Sequence, residues 1–434
     1  MSRKLTAGIA GVLAPLFLLA GCASNAPTAT TSDVAPEAIT GTVKVLTNRT
    51  DLVQDGSFDK LATEFAKTYP QVKVTFEGIG DYEGQVAIRL STKDYGDVLA
   101  LPASVKPSQL ASFFEPLGAE SELSQKYRFT AEHAVDGQVY GIATGGNANG
   151  VVYNKKVFAD AGIATLPKTP EEFLAALEAI KAKTDAVPLY TNYKEGWPLS
   201  QWYANNGGVN GTAAALTAMS TDDAPWTQGK DMYAIDGLLF DAVNKKLTED
   251  DPLTTNWEKS KSMLGTGKIG TMMLGSWAIS QMQDSAKKAG GSADDIGYMA
   301  FPVTAADGKQ YATNGGDYAF AVNVNSTVKP AAKAWVEWFA NKSGYAAAQG
   351  MISPDRTAPL PANLKSLADN NVTLLELTPV PLVNDIANEA QIDLNSYVYR
   401  QKLVDIARGA AQGDKASYFT SLNEKWAKAR TNVG

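Results

Sequence analysis

NANGVVYNKKVFADAGIATLPKTPEEFLAALEAIKAK, residues 147–183, reads as strand, helix, loop, helix. Val151, Val152 and Tyr153 form a β-prone run. From Lys155 to Ala161 the spacing puts Val157 and Phe158 on a helical face, Gly162 stands where a C-terminal glycine stops the helix, and Pro167 falls in the loop. The second helix is signalled by Thr169 as its cap, Pro170 at the first helical position and Glu172 at the third, a capping box. Phe173, Leu174, Leu177 and Ile180 supply its buried stripe. These local rules would suit any α/β protein.

Taken as a string, VVYNKKVFADAGI followed by LPKTPEEFLAAL resembles the segment with which solute-binding proteins of carbohydrate ABC importers, relatives of maltose-binding protein among them, enter their second lobe. The resemblance extends over residues 42–434 and is strong at 149–177 and 269–277, with a lipobox-like site besides. It implies an α/β fold of two lobes, each a mainly parallel doubly wound sheet, with a ligand cleft between them. The expected ranges are 41–148 plus 312–355 for the first lobe and 149–311 plus 356–434 for the second. It further implies capture of a carbohydrate by cleft closure, delivery to ABC importer permease subunits, and no enzymatic activity, cofactor or metal. A monomer is expected.

The amino terminus carries Arg3 and Lys4, then an apolar stretch from Leu5 interrupted by glycines, and ends in Leu19, Ala20, Gly21, Cys22. This is a signal peptide over residues 1–21 by length and flanks, and its end resembles the lipobox at which a lipoprotein signal peptidase cuts before a diacylated cysteine. An uncleaved anchor is the competing reading. Cys22 is the only cysteine, so no intramolecular disulfide is possible, and its position favours lipidation over redox or metal chemistry. Residues 22–40 then read as the lipidated cysteine and a flexible tether, which places the protein on the extracytoplasmic face of the membrane, held by a lipid anchor. Loss of Arg3 and Lys4 takes the net charge from −7 to −9. An acidic body of about 390 residues argues against nucleic acid as a partner and for two domains.

The body opens with strand Thr42 to Thr47, a helix bearing Phe58, Leu61, Phe65 and Tyr69, a second strand from Val72 to Phe76, a helix after Tyr82, and a third strand from Asp97 to Leu101. This alternation describes a doubly wound sheet, in which ligands sit beyond the carboxyl ends of the strands. The rule selects Asn48, Arg49 and Asp51 after the first strand and Ser104 after the third. Asx-type turns with surface charges explain the same residues. Asp97, at the start of its strand, reads as structural.

Further along, the family resemblance puts Asn147 at a hinge strand from which relatives point a polar side chain at the sugar. The loop TNYKEGWPLSQW, residues 191–202, interleaves Tyr193, Glu195 and Trp197, and relatives carry a stacking aromatic at the position of Trp197. Trp202 and Tyr203 belong to the core by their helical placement. In KIGTMMLGSWAISQM, residues 268–282, a buried strand ends in Gly275, Ser276, Trp277, which resembles the family motif whose Trp lies on the floor of the sugar site. Gly316 and Asp317 follow a hydrophilic segment at 304–313 read as a second hinge, and Arg356 and Tyr399 match positions that relatives bring to the cleft. Tyr397 and Arg400 lie beside the latter. Two other readings stay open: the same fold binding another small solute or a metal ion, and a lipid-anchored glycoside hydrolase. No nucleophile elbow, P-loop or zinc motif is present, and the single histidine, His133, reads as a surface or cap residue.

Overall fold

The computed structural model describes residues 35–433 except Asp81 and Ala103, so the leader, Cys22 and residues 23–34 lie outside the described residues. The end of the expected tether is packed rather than free. Ile39 is buried in the first hydrophobic core, and the Gln71 amide donates to the Glu37 carbonyl at 2.8 Å. Burying an aliphatic side chain is worth about 1.5–3 kcal/mol, enough to dock such a short segment.

One sheet is centred on Gly41–Thr47, which runs parallel to Val72–Gly78 on one side and Val98–Ala100 on the other. Ala319–Asn323 returns antiparallel to Val98–Ala100 and also pairs with Phe114–Glu115 and Ile142–Ala143. Helices Ser57–Ala66, Tyr82–Leu90 and Lys329–Lys342 bury Phe58, Phe65, Val86 and Trp335 with this sheet in one core. Asp97 fastens the start of Val98–Ala100 to its neighbours, accepting from the Lys44 amide at 2.9 Å and from the Ser326 hydroxyl at 2.6 Å.

The second sheet is centred on Gly146–Asn154, a longer strand than the Val–Val–Tyr run suggests. It runs antiparallel to Ile269–Gly275, Ile296–Met299 and Tyr311–Gly316, with Val187–Leu189 and Thr373–Glu376 as outer parallel strands. Side chains alternate between faces with the period of two that a strand imposes. Val151, Tyr153, Met273 and Met299 meet one set of helices, including Pro170–Lys183 and Asp231–Asn244. Val152, Met272, Leu274 and Tyr298 meet Leu264, Ile279 and Met282 on the other face. Both sheets are thus mixed rather than mainly parallel, because the strands next to the interlobe connections run against their neighbours.

The capping signals act as read, with one shift. The Thr169 hydroxyl accepts from the Glu172 amide at 3.2 Å, but the Glu172 carboxylate reaches back to the Lys168 amide at 2.7 Å rather than to that of Thr169. Asn154 caps Lys155–Asp160, accepting from the Val157 amide at 3.0 Å while its own amide donates to the Leu264 carbonyl at 2.8 Å.

Three chain segments pass between the sheets. The first is Ala143 to Gly146, the second Gly316 to Ala319, and the third begins at Ile352, which exchanges two backbone hydrogen bonds of 2.8 Å with Gly146. The second passage therefore lies beyond the hydrophilic 304–313 segment. Phe301, Val303 and Ala305 are instead buried in the second lobe, and Tyr311–Gly316 pairs wholly within its sheet. Among the described residues, no helix is long and apolar enough to cross a membrane.

Helices Pro381–Glu389, Val398–Ala407 and Lys415–Val433 close the second lobe over a buried ion pair. Arg400 and Asp236 have fully buried side chains, with Nε to Oδ1 at 2.8 Å. The Trp226 indole N–H donates to Asp236 Oδ2 at 2.7 Å, and the Tyr399 hydroxyl donates to the same oxygen at 3.2 Å. Removing one member of such a pair leaves an uncompensated charge in an apolar medium. Asp236→Ala is therefore expected to cost roughly 3–5 kcal/mol in chemical denaturation; a loss under about 1 kcal/mol would show that the pair does not hold this lobe together.

Candidate ligand-binding site at the lobe crossings

Three tryptophans converge on the second lobe. Ile269–Gly275 is buried throughout and ends against Ser276, and Trp277 then opens the helix Ala278–Lys288. A Cβ on Gly275 would stand 2.6 Å from indole atoms of Trp277, so the glycine is what lets the ring lie back over the strand end. Trp197 opens the short helix Trp197–Ser200, and Trp257 opens Trp257–Gly265 behind the Asn256 cap. Ring centroids are 4.9 Å apart for Trp197 and Trp257, 5.8 Å for Trp197 and Trp277, and 6.0 Å for Trp257 and Trp277. All three rings remain half-buried.

Glu195 positions this group. Its carboxylate accepts from the Trp257 amide at 3.1 Å and from the Thr255 hydroxyl at 3.0 Å, while that hydroxyl accepts from the Lys194 amide at 2.8 Å. One charged side chain thus locks the 194–197 turn to the 255–257 turn. Beneath it, buried Glu249 accepts from the amide and hydroxyl of Thr191, with desolvation pushing its carboxyl pKa up.

The crossings form the adjoining wall. Asn147 stands opposite Gly315 in the sheet, and its Oδ1 accepts from the Ser276 hydroxyl at 3.3 Å, so it lies one residue from Trp277. Asp317 donates its amide to the Gly145 carbonyl at 2.9 Å, and its Oδ1 accepts from the Tyr318 amide at 2.8 Å. Beside Gly316 and Asp317 lies a recess of about 510 Å³ that Leu101, Pro102, Glu132 and Tyr318 also line. A larger groove of about 900 Å³ runs between Gln349 and Gly350 of the first lobe and Ser280 and Gln283 on the helix that Trp277 begins.

Glu132 and Trp257 are the site residues that sequence reasoning missed. The Glu132 carboxylate accepts from the Gly316 amide at 2.8 Å. Crowding by protein atoms raises its pKa to about 7, the Gly316 bond opposing and the Glu376 charge adding to the rise. Nothing in TAEHAVDG distinguishes it from a surface glutamate. Trp257 offered a signal, because it follows a helix cap just as Trp277 follows a strand end.

Several expected contacts are occupied elsewhere. Arg49 donates to Asp51 at 2.9 and 2.7 Å, to the Tyr345 hydroxyl at 3.0 Å and to Gln349 at 2.9 Å. That saturates most of its donors, and the guanidinium holds the Asp51 carboxyl below its usual range. Asn48 sits half-buried at the same strand end. Arg356 is a correction: its fork grips Glu376 at 3.1 and 3.2 Å and its Nε donates to the Ser124 and Tyr127 carbonyls, so it pins the third crossing. Tyr193 is buried with its hydroxyl on Asp405 at 2.8 Å, and Tyr399 and Arg400 belong to the buried network around Asp236. Ser104 is exposed in a turn outside the residues that line the recess. His133 is half-buried rather than a surface residue; its Nε2 is enclosed, and burial lowers its pKa to about 4.

Comparison with known proteins agrees with the two-lobe fold. Residues 50–346 match the model of the bacterial extracellular solute-binding protein family. The chain is 28% identical over 391 residues to the diacetylchitobiose binding protein DasA of Streptomyces coelicolor, which covers 85% of each chain. Two solved structures from Bifidobacterium animalis subsp. lactis are similar over 93% of this chain and 99% of theirs. One is the ABC-transporter binding protein BlMnBP1 in complex with mannobiose, at 34% identity and TM-score 0.78. The other is the manno-oligosaccharide specific solute binding protein BlMnBP2 in complex with mannotriose, at 35% identity and TM-score 0.78. These relatives are binding proteins rather than enzymes, which sets the hydrolase reading aside. With the two-lobe fold and a family match across most of its length, the chain belongs to the bacterial extracellular solute-binding proteins.

Proposed function

We propose that this protein captures an oligosaccharide for an ABC importer, with manno-oligosaccharides as the first ligand class and diacetylchitobiose as the second. The observation that carries the reading is the trio Trp197, Trp257 and Trp277, half-buried, with Asn147 bonded to the Ser276 hydroxyl next to Trp277. Flat indole faces suit the C–H faces of pyranose rings, and amides and carboxylates suit paired hydroxyls. The identity to two proteins solved with mannobiose and mannotriose supports the choice of sugar. The lipobox-like run before Cys22 and the tether after it support attachment to the outer face of the membrane through a lipid.

Mannotriose at 100 times its Kd is expected to add roughly 2.7 kcal/mol to unfolding stability. Trp277→Ala should weaken binding by about 2 kcal/mol in calorimetry with little loss of folding. A variant that binds mannotriose as the parent does would remove Trp277 from the site.

For the anchor, Cys22→Ser should move the protein out of the membrane fraction and abolish acyl mass. Equal fractionation of parent and variant, with no acyl mass on the parent, would end the lipoprotein reading.

Glu132 makes stability depend on pH in a defined direction. Its folded pKa, about 7, lies above the ordinary carboxylate value, so between about 4.5 and 7 the folded state binds more protons than the unfolded one. Stability from this group is thus lost as pH rises through that window, by on the order of 1–3 kcal/mol, and levels off above it. His133 acts in the opposite sense between about 4 and 6.5, so the readout is the difference between parent and Glu132→Gln. The variant's relative stability should grow from pH 5 to pH 8, and an equal difference at both would mean that Glu132 does not titrate there.

A further inference from the structure

Four asparagines of this chain stand directly before a glycine: Asn149, Asn206, Asn210 and Asn314. The pairing is chemically labile, because a glycine amide with no side chain beside it can reach the carboxamide carbon of the asparagine before it. The fold separates the four. Asn149 and Asn314 lie inside the paired strands Gly146–Asn154 and Tyr311–Gly316, where neighbouring strands hold the backbone. Asn206 is buried, and the Gly207 amide is occupied, donating to Asp231 Oδ1 at 3.0 Å. Asn210 is the exposed one, and among the described residues the Gly211 amide makes no hydrogen bond.

The carboxamide of Asn210 has a structural task. Its Nδ2 donates to Asp231 Oδ2 at 2.8 Å, while Asp231 Oδ1 also accepts from the Val209 amide at 3.1 Å. Asp231 begins the helix Asp231–Asn244, which carries the buried Asp236. One carboxylate thus fastens the 207–210 turn to that helix. Gly211 has φ 64°, and the Tyr311 ring lies where its Cβ would stand, so the turn is confined on this side as well.

We propose that Asn210 is a site of spontaneous modification, at which the Gly211 nitrogen closes on the carboxamide and water then leaves aspartate or isoaspartate in the turn. In the first step the Gly211 nitrogen gives its proton to base, the bond from that nitrogen to Asn210 Cγ forms, and the Cγ–Nδ2 bond breaks with release of ammonia. The product is a succinimide. Water then opens one of its two carbonyls: attack at Cγ returns the normal backbone as aspartate, and attack at the main-chain carbonyl gives isoaspartate. Either product sets a carboxylate where a donor to Asp231 stood, and like charges that close repel. Isoaspartate also lengthens the main chain by one carbon just before Gly211, where Tyr311 already fills the space. Both products loosen the turn from its helix.

Prolonged incubation of the full chain in mildly alkaline buffer, followed by peptide mapping with fragment-ion mass spectrometry, tests the site. Asn210 should gain about 1 Da. The gain should be at least about 10-fold faster than at Asn149, Asn206 or Asn314, whose reaction waits on local opening, and slower in mildly acid buffer. The aged protein should accept methyl groups from an isoaspartyl methyltransferase, and Asn210→Gln should remove that signal. No gain at Asn210, or equal gains at all four, overturns the site. For the consequence, Asn210→Asp should unfold at lower urea than both the parent and Asn210→Gln. A midpoint equal to the parent's overturns the loosening of the turn.

Discussion

The relation between the two lobes is held by main-chain hydrogen bonds among the segments that pass between them. Gly146 and Ile352 exchange both of theirs, Asp317 donates to Gly145, and Thr144 donates to Tyr318. Such close approach leaves no room for a side chain at Gly146, where a Cβ would fall 2.3 Å from ring atoms of Phe129. Phe129 is itself held in the left-handed region at φ 67°, its amide donating to Glu376 at 2.9 Å, and Glu376 is held in turn by Arg356. This ribbon is what brings Asn147, Gly316 and Asp317 side by side.

A division of labour follows from the cost of charge. Exposed ion pairs contribute little, but a guanidinium that makes several directed bonds fixes the backbone around it. Arg49, Arg356 and Arg400 each spend their donors on this chain, and Glu195 and Glu249 spend their carboxylates on turns. Among the candidate site residues of the second lobe, the indole faces are what remains half-buried and uncommitted to such bonds.

Elements whose signals are local were legible in the sequence. Thr169, Pro170 and Glu172 announce their helix, and Gly275, Ser276 and Trp277 announce a strand end with an aromatic, because capping and turn chemistry act within a few residues. What was not legible depends on partners far away. Arg356 and Tyr399 occupy positions that suggest a cleft, yet Glu376 and Asp236, 20 and 163 residues distant, draw them elsewhere. The hydrophilic run at 304–313 resembles a hinge in sequence, whereas the strand that follows it, Tyr311–Gly316, still pairs within the second sheet and the chain crosses only after it. Glu132 becomes distinctive only once Gly316 is folded against it.

The tryptophan trio also has an optical consequence. The other five indoles, Trp202, Trp226, Trp335, Trp338 and Trp426, are at most 8% exposed, and their emission belongs to a dry environment. The solvent-relaxed, red-shifted component of the fluorescence therefore comes from Trp197, Trp257 and Trp277 alone. Their centroids lie no more than 6.0 Å apart, close enough for excitation to pass from one ring to another. The chain thus carries at its candidate site a reporter that needs no attached dye, since a molecule that displaces water from these rings would shift that component.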